Sequence, residues 1–313
     1  MANLNARLQQ GELLILDGAT GTELQRRGAP MHGIAWSAAA LQTHPDLVRA
    51  LHEDYIHAGA DVIITNSFST HRHLLEPAGL ADSFHELNRR AVALAREARE
   101  RAAADRPVYI AASISTFLGE LDPVNWPPPE QVSAWYREQA EVLAEAGADL
   151  FFLEMMRDLE RGPRAAEAAI ATGLPAWAAF TCRVTDDSRV VLIRDDHSPV
   201  IQDELATAVE VFAGLGVAGC SVMHSEVSET AAALRVLREH WPGPVGAYAH
   251  SGHFVMPNWQ FESVISPEAY AEAAAGWVAG GVQLVGGCCG IGPDHIRTLR
   301  RQLLQGQEEV NLS

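Results

Sequence analysis

A short phrase recurs along this chain, and it constrains the architecture more than any other feature. Ala58-Gly59-Ala60-Asp61 and Ala146-Gly147-Ala148-Asp149 are near copies, with looser versions at Ala213-Gly214-Leu215-Gly216 and Ala279-Gly280-Gly281. Each follows an amphipathic stretch and leads at once into a short β-rich run. That is the pattern of a glycine that ends a helix and hands the chain to a buried parallel strand. Strands are expected at residues 13–17, 61–66, 107–113, 150–154, 176–182, 217–224, 244–250 and 282–287, with helices between them. Eight such units with no break in composition predict one α/β domain, a (β/α)8 TIM-type barrel over residues 1–304, although a doubly wound sheet would give a similar string. Residues 305–313 are polar and read as a frayed tail. Residues 119–129 and 184–200, after the third and fifth strands, read as irregular loops on the face where barrel enzymes keep their sites.

The formal charge is −17, with acids spread along the chain, which argues against a nucleic-acid or anionic-membrane surface. The first twelve residues lack a basic-then-apolar signal pattern, and no run approaches the roughly 18 apolar residues of a membrane span. A cytoplasmic chain is expected. The four cysteines stand at 182, 220, 288 and 289. Two of them are adjacent, a poor basis for a disulfide framework, so the thiols are available for metal or chemistry.

Gly286-Gly287-Cys288-Cys289-Gly290 ends an apolar run and precedes Ile291-Gly292-Pro293-Asp294-His295, which opens a helix. Neighbouring side chains within a strand point to opposite faces, so two adjacent thiols can bear on one metal only where the backbone leaves the strand. Three readings compete: a two-sulfur corner of a zinc site, a glycine-rich phosphate loop, or a tight turn that happens to hold two cysteines. A phosphate loop has no use for thiols, which favours the metal.

Polar residues at the strand ends of a barrel converge on one mouth. Here they are Asp17, Asn66, Ser113, Glu154, Thr181, His224, His250 and the cysteine pair. Asp17 and Glu154 suit a substrate ammonium group or acid–base work. Gly18 and Ala19 begin a loop, 18–22, whose backbone N–H groups could hold a carboxylate; the plainer reading is an Asp-Gly turn with Thr20 capping a helix. His71 and His73 read as solvated loop residues.

Leu14-Ile15-Leu16-Asp17-Gly18-Ala19-Thr20-Gly21-Thr22-Glu23-Leu24 resembles the opening segment of homocysteine S-methyltransferases. The resemblance continues through Trp36-Ser37, Pro45-Asp46-Leu47-Val48, the stretch from Gly59 to Asn66, that from Ala146 to Glu154, Phe180-Thr181-Cys182, Ser251-Gly252, and Gly286 to Gly290 with Pro293-Asp294-His295-Ile296. It covers nearly the whole chain, and the family fold is the barrel. What it implies is zinc held by three cysteines, the last two matching Cys288 and Cys289. The chain departs at the first: counting back from Ala233-Leu234 places His224 there, with Cys220 four residues earlier inside the strand. A neutral imidazole is a competent zinc ligand, so His224 is the expected third ligand. Cys220, brought round by a bulge at Gly219, is the alternative, and its plainer role is a small buried hydrophobe. A second departure puts His250 and His253 where the family shows Asn and Glu.

The implied chemistry is zinc-assisted methyl transfer from a sulfonium donor to the thiol of homocysteine, giving methionine, with a small thiol amino acid and an onium methyl donor as partners and neither nucleic acid nor membrane among them. Few residues follow the cysteine pair, so no folate or cobalamin domain is expected, and S-methylmethionine or S-adenosylmethionine is the expected donor. Trp36 matches a tryptophan that contacts the donor in betaine-using relatives, and an indole face suits a sulfonium cation; otherwise it is a rim tryptophan. The substrate-binding set is thus Asp17, Gly18, Ala19, Trp36, Asn66, Glu154 and His250, and the catalytic and metal set His224, Cys288 and Cys289. The alternatives are the same chemistry on another acceptor or donor, and a barrel that only binds an amino acid or metal.

Overall fold

The computed structural model describes residues 4–104, 106–117, 127–193, 202–255 and 260–305. Eight parallel strands form a barrel: Leu14–Ile15, Val62–Ile64, Tyr109–Ser115, Leu150–Met156, Ala176–Val184, Gly219–Glu226, Val245–His250 and Leu284–Val285. Each pairs with its sequence neighbour from the second strand to the eighth, and Leu14 pairs with Leu284 to bring the ends together. A single bridge, Leu16 with Val62, closes the ring between the first and second strands.

The recurring glycine does what its phrase predicts. Gly59, Gly147, Gly216 and Gly281 all have left-handed φ, between 87° and 107°, where a residue with a Cβ would be strained. Gly59 and Gly216 end the helices Pro45–Ala58 and Leu205–Leu215.

Two apolar layers follow from the strand period of two. Leu14, Leu16, Phe152, Trp177 and Tyr248 fill the barrel interior. Their alternates, among them Ile15, Phe151, Phe180, Cys220 and Val222, pack outward against the helices. At the floor, the helix Leu4–Gln9 sends Leu4 and Leu8 into the interior layer. Trp177 Nε1 donates to Asn5 Oδ1 at 3.3 Å, and Gln283 Nε2 donates to the Leu8 carbonyl at 2.6 Å.

The segment 184–200 is not wholly irregular: Val190–Leu192 is a strand, antiparallel to the extended end of the fifth. Pro129 opens the helix Pro129–Glu145 and so belongs to no loop. Residues 119–126 and 194–200 of the two expected loops, and 306–313 of the expected tail, lie outside the described residues.

Candidate active site

The C-terminal ends of the strands open on a cavity of 310 Å³. Two strands reach it through a bulge. On the fourth, Leu153 pairs with Ala178 but Met156 with Phe180, so one extra residue lies between, and Met155 has φ 51°. On the sixth, Met223 pairs with Tyr248 but Glu226 with His250, and His224 has φ 42°. Strict alternation would put His224 on the outward face with Cys220 and Val222; the bulge turns it to the mouth. Trp36, at φ 44°, is a third non-glycine residue of this kind on the cavity wall. Such conformations cost roughly 1–3 kcal/mol each and persist where the surroundings impose them.

His224 brings Nδ1 to 3.4 Å from Cys288 Sγ, and the Cys288 and Cys289 sulfurs are 3.9 Å apart. All three ligand atoms lie within 4.8 Å of one another, the only such group of histidine, cysteine or acidic residues among the described residues. A tetrahedral zinc with its usual bond lengths holds two sulfurs about 3.8 Å apart and a sulfur and a nitrogen about 3.5 Å apart. The donor set therefore fits zinc in chemistry and spacing. The Cys288 thiol is held above its usual range, first by its contact with Cys289 and then by burial, while His224 pulls it down. The cysteine loop is anchored on both sides: Cys288 N donates to the Ala249 carbonyl at 2.9 Å, and Gly290 N donates to the Thr22 hydroxyl at 3.3 Å.

Asp17 and Glu154 are both buried. Asp17 Oδ2 accepts from Ile64 N at 2.7 Å, while Oδ1 has no hydrogen-bond partner among the described residues. Burial pushes the Asp17 carboxyl well above its ordinary value, and the nearby charge of Glu154 adds to this. Burial also pushes Glu154 up to about 7, against the opposing pull of Ser113, Tyr248 and His224. The Ser113 hydroxyl donates to Glu154 Oε2 at 2.5 Å. Glu154 lines the cavity and Asp17 stands just outside the lining; with no Lys or Arg among the lining residues, a buried carboxyl group that a cation would ionise faces the cavity.

Other expected site residues fall into three positions. Trp36, Gly18 and Ala19 line the cavity. Gly18 leaves no room for a Cβ, which would sit 2.2 Å from the Ile291 carbonyl, and Ala19 N is already donated to that carbonyl at 2.9 Å. The Ala19 amide is thus occupied in joining the two loops. Asn66 lines the cavity but spends its amide on Ser37, accepting from the hydroxyl at 2.8 Å and donating to the carbonyl at 2.9 Å, and so fixes the Trp36-Ser37 turn. His250 stands one layer back, outside the cavity lining, with its ring 4.6 Å from that of His224.

Two expectations are corrected. Cys220 is fully buried on the outward face of its strand, because the bulge lies at His224 and not at Gly219; it faces the helix layer, away from the thiol pair. His71 and His73 are not solvated: they are 1% and 4% exposed and stack at 3.4 Å between centroids. Burial pushes His73 down to about 3 and His71 well below its ordinary value. His73 Nε2 lies 3.2 Å from the carbonyl oxygen of Phe117, another cavity residue. Threonine 20 stands at the helix start without a side-chain cap. The hairpin of His253–Val255 with Gln260–Glu262 follows the seventh strand, and the His253 side chain lies outside what is described.

Sequence reasoning passed over Tyr248, Met223, Phe68 and Phe117, all cavity residues. For Tyr248 the signal was present: it shares its strand parity with His250, and that parity faces the barrel axis at this level.

Residues 14–303 match the family model for homocysteine S-methyltransferase. The chain is 28% identical to the selenocysteine methyltransferase of Astragalus bisulcatus, over 96% of this chain and 95% of that one. It is 31% identical to the homocysteine S-methyltransferase of Escherichia coli (strain K12), over 95% and 97%. Among solved structures, the metallated form of the Escherichia coli homocysteine methyltransferase MmuM superposes with a TM-score of 0.78 at 28% identity, covering 96% of this chain and 99% of that one.

Proposed function

The chain belongs to the homocysteine S-methyltransferase family and is a methyltransferase; on that premise we propose that it transfers a methyl group from a sulfonium donor, S-methylmethionine or S-adenosylmethionine, to the thiol of homocysteine in a zinc-dependent reaction that gives methionine. The observation that carries the reading is the meeting of His224, Cys288 and Cys289 at the mouth that also holds two buried carboxyl groups. The three residues would hold the zinc. When bound, it supplies the positive charge that keeps the acceptor sulfur as thiolate at neutral pH, where a free thiol of pKa ~8.5 is mostly protonated.

The chain's own residues do the rest. Asp17 and Glu154 receive the acceptor's ammonium group; its charge offsets the burial that holds Glu154 near 7, so Glu154 ionises as the amino acid binds. Trp36, Phe68 and Phe117 form an aromatic wall, with the first two rings 5.8 Å apart edge to face and the last two 5.5 Å apart. Such a wall accepts a sulfonium cation and excludes water. The acceptor sulfur forms a bond to the methyl carbon as the donor's carbon–sulfur bond breaks, and the electron pair leaves on the donor sulfur as a neutral thioether. Neither product is a cation at sulfur, so the aromatic wall loses its grip on the spent donor. The chemistry needs reduced thiols, and all four cysteines are unpaired, which supports a cytoplasmic location. Among the described residues no helix is long and apolar enough to cross a membrane.

Selenocysteine belongs in the assay as a second acceptor, because one relative is named for it. We expect about one zinc per chain in protein purified without added metal, and methyl transfer to homocysteine from at least one of the two donors. Cys288→Ser should lose zinc and activity together, and full zinc content in that variant would refute the ligand set. His224→Ala should weaken zinc far more than Cys220→Ala; the reverse order would mean that the sixth strand carries its bulge elsewhere.

A further inference from the structure

A histidine ligand must be aimed in a way that a cysteine need not be. Its two ring nitrogens lie on different edges, and rotation about the bond to the ring carries Nδ1 away from the metal. In this chain the ring is borne on a bulged backbone at φ 42°, a conformation that holds only if its surroundings impose it.

One ring packs against it, and a carboxylate holds that ring. The His250 ring packs against that of His224, 4.6 Å between centroids and tilted by 41°. His250 is itself fixed along one edge, with Nε2 3.1 Å from Glu226 Oε1. Glu226 and His250 are also the register partners on the far side of the bulge, so their contact ties the sixth strand to the seventh just where pairing resumes. We propose that Glu226 and His250 are a positioning pair, which closes the bulge and holds the His224 ring with Nδ1 turned to the Cys288 sulfur. Neither lines the cavity. Their effect passes through His224 alone. The inference rests on the zinc reading above, and it adds which residues make an imidazole workable as the third ligand.

Supporting partners of a metal-bound histidine are commonly worth about 10–100-fold in metal affinity. The test is the zinc dissociation constant of the purified protein, measured by competition with a chelator. His250→Ala and Glu226→Ala should each weaken zinc by about 10-fold, and Glu226→Ala should add nothing once His250 is gone, because the carboxylate acts through that ring. Glu226→Gln, which keeps an oxygen acceptor, should restore affinity to within about 3-fold of the parent. The decisive arm is the His224→Cys background. A thiolate has no ring to aim, so His250→Ala there should change affinity by less than about 2-fold, whereas a general loosening of the mouth would weaken both backgrounds alike. Equal losses in the two backgrounds, or no loss in the parent background, overturn the proposal. A parent protein that binds no zinc overturns the metal reading instead, and this inference with it.

Discussion

At Glu154 the barrel interior raises a carboxyl group from its ordinary 4.5 to about 7, with burial as the main cause and Ser113, Tyr248 and His224 opposing it. The native protein then binds a proton more tightly than the unfolded chain. In ligand-free protein that stability is fully present below about pH 4.5 and is lost as the pH rises through about 7. Glu154→Gln removes the titration: free of ligand, the variant should be more stable than the parent at pH 8, by up to about 3 kcal/mol, and the difference should close toward pH 4.5. Thermal melts at the two pH values measure it. The same variant should raise the KM for the acceptor amino acid at least about tenfold while keeping its zinc, since an unpaired ammonium is costly in such a site; an unchanged KM would say that the carboxylate serves structure. Asp17, Glu154, Cys288 and Cys289 were legible as candidates because strand ends of a barrel must converge. Burial of His73, and of His71 stacked on it, was not, because His73 packs against Trp135 and Tyr136, more than sixty residues away in sequence.

Elements were read well in kind and poorly in register. The glycine phrase located helix ends and the strands after them, but nothing in Val222-Met223-His224-Ser225 marks an inserted residue, since a bulge is decided by the partner strand. His224 was reached by counting back from the next helix, and strand alternation alone would have turned it outward beside Val222. The strand at Val190–Leu192 was missed for a related reason: three residues carry too little periodicity to be seen without the strand they pair with. The loops that carry the cysteines have less freedom than their glycines suggest. Gly290 sits at φ 82°, and a Cβ there would lie 2.3 Å from the Ser251 carbonyl oxygen. Gly290→Ala should therefore cost roughly 2 kcal/mol or more and weaken zinc retention, because relief of the clash moves the cysteine loop. Denaturant unfolding paired with metal analysis tests it, and an alanine accepted without loss of either would show that the loop has slack.

On the scale of the molecule, the count of eight strand–helix units was enough to choose the barrel, while its floor was invisible, since the first helix shows only a short polar pattern with two leucines. Leu8 is fully buried in the interior layer. Leu8→Ala should cost about 2–5 kcal/mol in denaturant titration, with zinc content unchanged because the cavity opens at the opposite end from the metal group. An intact stability would mean that the helix is a loose cover. The ring itself is joined by the pairing of Leu14 with Leu284, two residues 270 positions apart in sequence, so the first barrel strand finds this partner only when the eighth is in place. Cys288 and Cys289 arrive with that final strand, and His224 stands ready two strands before it. On the zinc reading, the ligand set is complete only when the eighth strand has joined the first, so bound metal would report that the ring has closed.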